Sequence, residues 1–242
     1  MAETTLSPEH VIRNYHKVLE TIESAAKKSG RDPSDITLVG VTKRIETERI
    51  LPAVKAGLKI IGEVMGTDFK RKYDSIISAA PDLTIHVIGN MQRNKVKMAV
   101  TKCHLIQSVK NEKILAEINK RAEKLSKRYP IFLQIDVSDV EQKKGLTIKE
   151  TLVFLKKIEE QYHNVVVEGF MTIAPLEYET TPSLLRKFFA KTYREFKEKL
   201  APLLDIETPH LSMGMSSDYV IAIEEGATMV RIGTAIFGPR YK

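Results

Sequence analysis

Tryptophan is absent, and aromatic residues of all kinds make up only 7% of the 242-residue chain. A surface that stacks unpaired bases needs exposed rings, so binding of single-stranded nucleic acid has little support. There is one cysteine, Cys103. It can form no internal disulfide and has no C-x-x-C partner, which excludes a disulfide scaffold and points to a reducing compartment. No apolar run approaches the ~18 residues that cross a bilayer. The opening MAETTLSPEH is polar and lacks the apolar core of a signal peptide. The expectation is a soluble, cytoplasmic protein with no membrane partner.

Recognisable catalytic signatures are also missing. The six histidines, His10, His16, His86, His104, His163 and His210, show no metal-site spacing such as H-E-x-x-H. No metal is expected. G-x-S-x-G, Walker and G-x-G-x-x-G patterns do not occur. Lys+Arg minus Asp+Glu gives 38 − 31 = +7, with positive residues along the whole chain. The most basic stretch, NKRAEKLSKR at 119–128, reads as the solvated face of a helix. Its alternative is a patch for an acidic partner, and no nucleic acid is expected.

What is present is alternation. Short apolar or β-branched runs are each followed by a longer, charged, amphipathic segment. The runs are ITLVGVT (36–42), LKIIG (58–62), LTIHVIG (83–89), HLIQSV (104–109), IFLQIDV (131–137), VVVEGF (165–170), HLSM (210–213) and TMVRIG (228–233). Helices are predicted at 8–29, 46–56, 68–79, 92–100, 112–127, 148–161, 184–200 and 217–225. Ser7-Pro8 and Thr181-Pro182 are start signals. Thr147-Ile-Lys-Glu150 is a capping-box pattern. Strands alternating with helices imply parallel strands and right-handed crossovers. Eight units, in a length close to the ~250 residues of a (β/α)₈ barrel, favour a closed TIM barrel over an open sheet. The expectation is an α/β fold: one barrel domain over 1–242, with an extra N-terminal helix.

In such a barrel, chemistry sits where strands end and βα loops begin. The seventh unit ends in SMGMSSD before a helix, and the eighth ends in RIGT. Small residues at a helix start leave N–H groups free for an anion, and barrels bind phosphate after strands seven and eight. Alternatively, the turns only close the barrel, with Ser216 as a helix cap. The first strand ends at Lys43. Partial burial at a barrel mouth disfavours an ammonium and yields an amine able to form a Schiff base; alternatively, Lys43 is one of the chain's many surface lysines. An aldehyde and a phosphate on one ligand describe pyridoxal 5′-phosphate (PLP).

The chain resembles the pyridoxal phosphate homeostasis protein family, single-domain relatives of the alanine racemase N-terminal barrel. The resemblance runs through VGVTK (39–43), HVIGNMQRNK (86–95), QIDVSD with KKG (134–139, 143–145), EGFMTI (168–173) and the long stretch LSMGMSSDYVIAIEEGATMVRIGTAIFG (211–238). It implies that Lys43 holds the PLP aldehyde. It implies that Ser212, Met213, Gly233 and Thr234 hold the phosphate, that Met171 contacts the ring and that Arg231 faces the pyridine nitrogen. An arginine there cannot take a proton from the ring, so the ring would be a poor electron sink. One departure stands out: the family's Gly-Glu-Asn is Gly62-Glu63-Val64 here, and valine makes no hydrogen bond. Met91 replaces a leucine at similar volume.

Two functions follow from the resemblance. One is PLP homeostasis: the cofactor is held on Lys43 without a dedicated catalytic cycle and passed to PLP-dependent apoenzymes. The alternative is a PLP-dependent amino-acid racemase, which needs a second acid/base group opposite the lysine. In two-domain alanine racemases that group comes with an additional C-terminal domain. The eighth unit here ends near Gly238 and the chain at Lys242. The expectation is therefore no such domain, a non-catalytic role and a monomer.

Overall fold

The computed structural model describes residues 6–141 and 143–240. Eight parallel strands close into a barrel in chain order: β1 (Thr37–Val41), β2 (Ile60–Glu63), β3 (Thr84–Val87), β4 (Leu105–Val109), β5 (Tyr129–Gln134), β6 (Val165–Met171), β7 (His210–Ser212) and β8 (Met229–Ile232). β8 closes on β1 through the pairs Thr37–Met229 to Gly40–Ile232. Each predicted run overlaps one strand, though β5 begins two residues before its run and β2 and β6 end one residue after theirs, so the alternation carried the topology.

The outer helices are α1 (Pro8–Lys28), α2 (Thr47–Lys55), α3 (Thr67–Ala79), α4 (Val96–Lys102), α5 (Glu112–Glu123), α6 (Ile148–Gln161), α7 (Pro182–Glu195), α8 (Tyr219–Glu224) and the unpredicted α9 (Thr234–Phe237). The capping box forms as its spacing requires: Thr147 N–H donates to Glu150 Oε2 at 2.8 Å, and Glu150 N–H to Thr147 Oγ1 at 3.3 Å. Thr147→Ala should lower unfolding stability by about 1 kcal/mol in a urea titration.

Boundaries differ where local geometry overrides periodicity. α5 stops at Glu123 because Ser126 takes a left-handed φ of 49° and Lys127 N–H turns back onto Ala122 O. The helix expected at 184–200 widens into a π-turn at Phe196–Leu200, which keeps Phe196 and Leu200 buried.

α1 lies on α2, α8 and α9, burying Val11, Tyr15, Val18 and Ile22. Asn14 Nδ2 donates to Ile236 O at 3.2 Å, which ties α1 to the turn after β8. Inside the barrel, Val39, Leu105, Phe132, Met171 and Met229 form an apolar plug. Strand side chains alternate faces with period two. Two residues further along their strands, Gln107, Gln134 and Arg231 therefore also point inward, as a polar layer above the plug. That layer floors the mouth of the barrel.

Candidate functional site

Inward alternation on β1 runs Val39, Val41, Lys43. The chain leaves the strand with the lysine aimed into the barrel mouth, and Val41 and half-buried Lys43 both line a cavity of about 760 Å³. Across it lie Arg231 and the turn Gly233-Thr234-Ala235, with Ser216 and Arg240. The charged lining is Lys43, Arg231, Arg240 and Glu179, a net positive field that suits an anionic ligand.

Two N–H groups of the β8 turn converge on one oxygen. Gly233 N–H donates to Ser216 Oγ at 3.1 Å and Ala235 N–H at 3.4 Å. Ser216 is thus no helix cap; it bridges the two turns singled out in the sequence. The start of α8 is served differently. Asp218 is its N-cap, and the buried Asp218 carboxylate accepts from Met215 N–H. Burial pushes that carboxyl up, while the Met215 N–H and Arg231 pull it down. The Asp218 carboxylate makes no hydrogen bond to the first N–H groups of α8, whereas the β8-turn N–H groups point at Ser216 Oγ on the cavity wall.

Arg231 is the most constrained member. It is only 4% exposed. One Nη donates to Ser212 Oγ at 2.7 Å and the other to Thr172 O at 2.8 Å. Ser212 donates onward to Gln107 Oε1 at 2.8 Å, and Gln107 Nε2 lies 2.9 Å from His86 Nδ1 and 3.1 Å from Met229 Sδ. Every link donates in the same direction, from guanidinium to imidazole. Burial lowers the Arg231 pKa to about 10, with Asp218 opposing, so the group remains a cation at neutral pH.

Of the residues implied by resemblance, Lys43, Arg231, Gly233 and Thr234 share the cavity wall. Met171, Ser212 and Met213 are fully buried beneath it: Met171 in the plug, Met213 in the outer core, Ser212 in the Arg231 chain. Ser216, Glu179 and Arg240 were not singled out as ligand contacts. Ser216 carried a signal, because it sits inside SMGMSSD. Val64 forms part of the wall and packs on Gly89, where a Cβ would come 2.4 Å from Val64 Cγ2. It seals the site where the resemblance implied an amide.

Residues 41–241 match the family described as "Alanine racemase, N-terminal domain". A pyridoxal phosphate homeostasis protein of Aquifex aeolicus is 39% identical, with 93% of this chain and 96% of that protein covered. The chain belongs to the pyridoxal phosphate homeostasis protein family. PipY of Synechococcus elongatus, solved with PLP bound, superposes with a TM-score of 0.71 at 30% identity, covering 90% of this chain and 100% of that one. A protein from Bifidobacterium adolescentis described as unknown superposes with a TM-score of 0.85 at 26% identity, covering 95% of each chain.

Proposed function

We propose that this chain binds pyridoxal 5′-phosphate in the barrel-mouth cavity and serves its intracellular homeostasis. The observation that carries the reading is the convergence in one cavity of the Lys43 amine with the paired N–H groups of Gly233 and Ala235. Bound there, the cofactor would supply an aldehyde able to condense reversibly with a lysine amine, with loss of one water. Lys43 is the amine. Ser216, Gly233 and Thr234 hold the phosphate, with Arg240 contributing charge. Arg231 presents donors only, so it withholds a proton from the ring rather than supplying an acceptor for one. Ser212 acts on the site through Arg231, and Met171 and Met213 support the floor.

Holding suits this lining better than turnover. Racemisation needs proton carriers on both faces of a substrate. Among the described lining residues, neither tyrosine nor histidine faces Lys43, and Glu179 is exposed. The same reading makes the chain a cytoplasmic monomer that passes PLP to apoenzymes. Among the described residues, no helix is long and apolar enough to cross a membrane.

Titration with PLP should produce a visible absorption band that survives gel filtration. Absence of the band at saturating cofactor would overturn the proposal. Ser216→Ala should weaken affinity for the phosphate about tenfold, the worth of one hydrogen bond to a charged group. Ser212→Ala should leave phosphate affinity unchanged, since its hydroxyl is committed to Arg231 and Gln107. Calorimetry with pyridoxine 5′-phosphate, which lacks the aldehyde, separates the two.

A further inference from the structure

Lys43 sits in a turn that does not hold its own shape. Ile45 N–H closes it onto Thr42 O at 3.1 Å, and Arg44 between them adopts φ of 54°. A non-glycine residue in that region costs about 1–2 kcal/mol, and such strain persists only where the surroundings over-determine the backbone.

The surroundings here are three charged side chains. Asp68 and Lys72 lie four apart on α3 and share one face. Glu63 ends β2, pointing outward toward that helix. Lys72 Nζ donates to Thr42 O at 2.6 Å, and lies 3.3 Å from Ile45 O, so it holds both ends of the turn. Its remaining contacts are Glu63 Oε1 at 2.7 Å and Asp68 Oδ2 at 3.0 Å. Asp68 Oδ2 also accepts from Arg44 N–H at 3.1 Å, which fixes the strained middle. Glu63 Oε1 accepts from Thr42 Oγ1 at 2.5 Å.

The Lys72 and Glu63 side chains are each 1% exposed. A buried ion pair is a poor source of stability compared with apolar packing. Its geometry must therefore be read for what it orients. Thr42, Arg44 and Ile45, the residues flanking Lys43, each share a hydrogen bond with this group of side chains, whose outer edge also meets Arg71 through Asp68 Oδ1 at 3.4 Å.

We infer that Lys72, Glu63 and Asp68 are positioning residues that clamp the turn at 42–45 and aim the Lys43 amine into the cavity. The inference rests on the PLP reading given above and adds to it a device for reactivity, separate from the one that binds phosphate. None of the three lines the cavity, so they act only through the turn.

The test uses two variants of the full chain. Lys72→Met combined with Glu63→Gln removes both buried charges together, so that neither is left alone. Asp68→Ala removes the Arg44 anchor at a partly exposed position and leaves the buried pair intact. Each is measured twice: the rate at which PLP develops its visible band, and the affinity for pyridoxine 5′-phosphate, which does not use Lys43. Misplacing a reacting group by about 1 Å can cost a hundredfold, so the rate should fall at least about tenfold in both variants. Affinity for pyridoxine 5′-phosphate should stay within about twofold, a range well inside one hydrogen bond.

Wild-type rates in both variants would overturn the clamp while leaving the PLP reading intact. A parallel loss of capture and pyridoxine 5′-phosphate affinity would also overturn it, because the network would then support the fold rather than aim the amine. Should the double variant fail to fold, Asp68→Ala alone decides between these outcomes. A wild-type protein that develops no band removes the PLP reading, and the inference with it, and is told apart because it needs no variant.

Discussion

Lys43→Ala should abolish the visible band with PLP and the retention of cofactor through gel filtration, while affinity for pyridoxine 5′-phosphate persists. The two halves of the result come from two separate parts of the cavity. The amine belongs to the β1 turn; the phosphate donors belong to Ser216 and the β8 turn. No other lysine lines the cavity among the described residues, and the charged neighbours are arginines and one carboxylate. Arginine stays protonated, so Arg44, Arg231 and Arg240 cannot replace the missing nucleophile. The chain carries many exposed lysines, and these can react with excess aldehyde at random. Gel filtration before the spectrum removes that background. A variant that keeps the band and the cofactor would show that another amine is the holder and would sink the assignment of Lys43.

The position of Lys43 was legible because period-two alternation is a property of the strand itself. ITLVGVTK places Val39, Val41 and Lys43 on one face whatever the rest of the molecule does. The two glycine turns after β7 and β8 were legible for the same local reason. What was not legible is how separate loops meet. The hydroxyl of Ser216 reaches across to Gly233 and Ala235, a contact set by barrel closure and not by any neighbour in sequence. The start of α8 was misplaced by two residues, because the Asp218 carboxylate, and not Ser216, sits at its beginning. Lys72 lies in the predicted helix at 68–79 and carries no signal of its own in the sequence. Its burial depends on Glu63 emerging from β2 directly beneath α3, and nothing in the local pattern announces that meeting. The resemblance identifies Ser212 but does not show the partners of its hydroxyl, which are Arg231 and Gln107.

His86 should make the fold acid-sensitive, with a loss of about 2 kcal/mol of unfolding stability between pH 7 and pH 5 traceable to this one side chain. Burial, reinforced by His104 and His210 nearby, lowers its pKa from 6.5 to about 3. The geometry gives the same direction. Gln107 donates to His86 Nδ1, and a protonated ring would have to donate from that nitrogen, leaving two donors face to face. In the unfolded chain the imidazole takes up its proton near pH 6.5; in the folded chain it stays neutral to about 3. Unfolding between those values therefore binds a proton. The stability tied to His86 is complete above pH 6.5 and is lost progressively as pH falls toward 3. Other buried groups contribute with mixed sign: burial lowers His210 and raises the carboxyls of Glu63 and Asp218. The comparison that isolates His86 is urea unfolding of wild type and His86→Gln at pH 7 and pH 5. Glutamine can still accept from Gln107 but has no proton to take up, so its stability should change about 2 kcal/mol less across the interval. Equal changes in the two proteins would mean that the ring is not held neutral. The consequence reaches the site, because His86 terminates the chain of donors that begins at Arg231. While the imidazole accepts, Gln107 is fixed, Ser212 must donate to it, and the Ser212 oxygen is left to receive the guanidinium. A neutral histidine inside the barrel thus helps keep the arginine at its mouth in place.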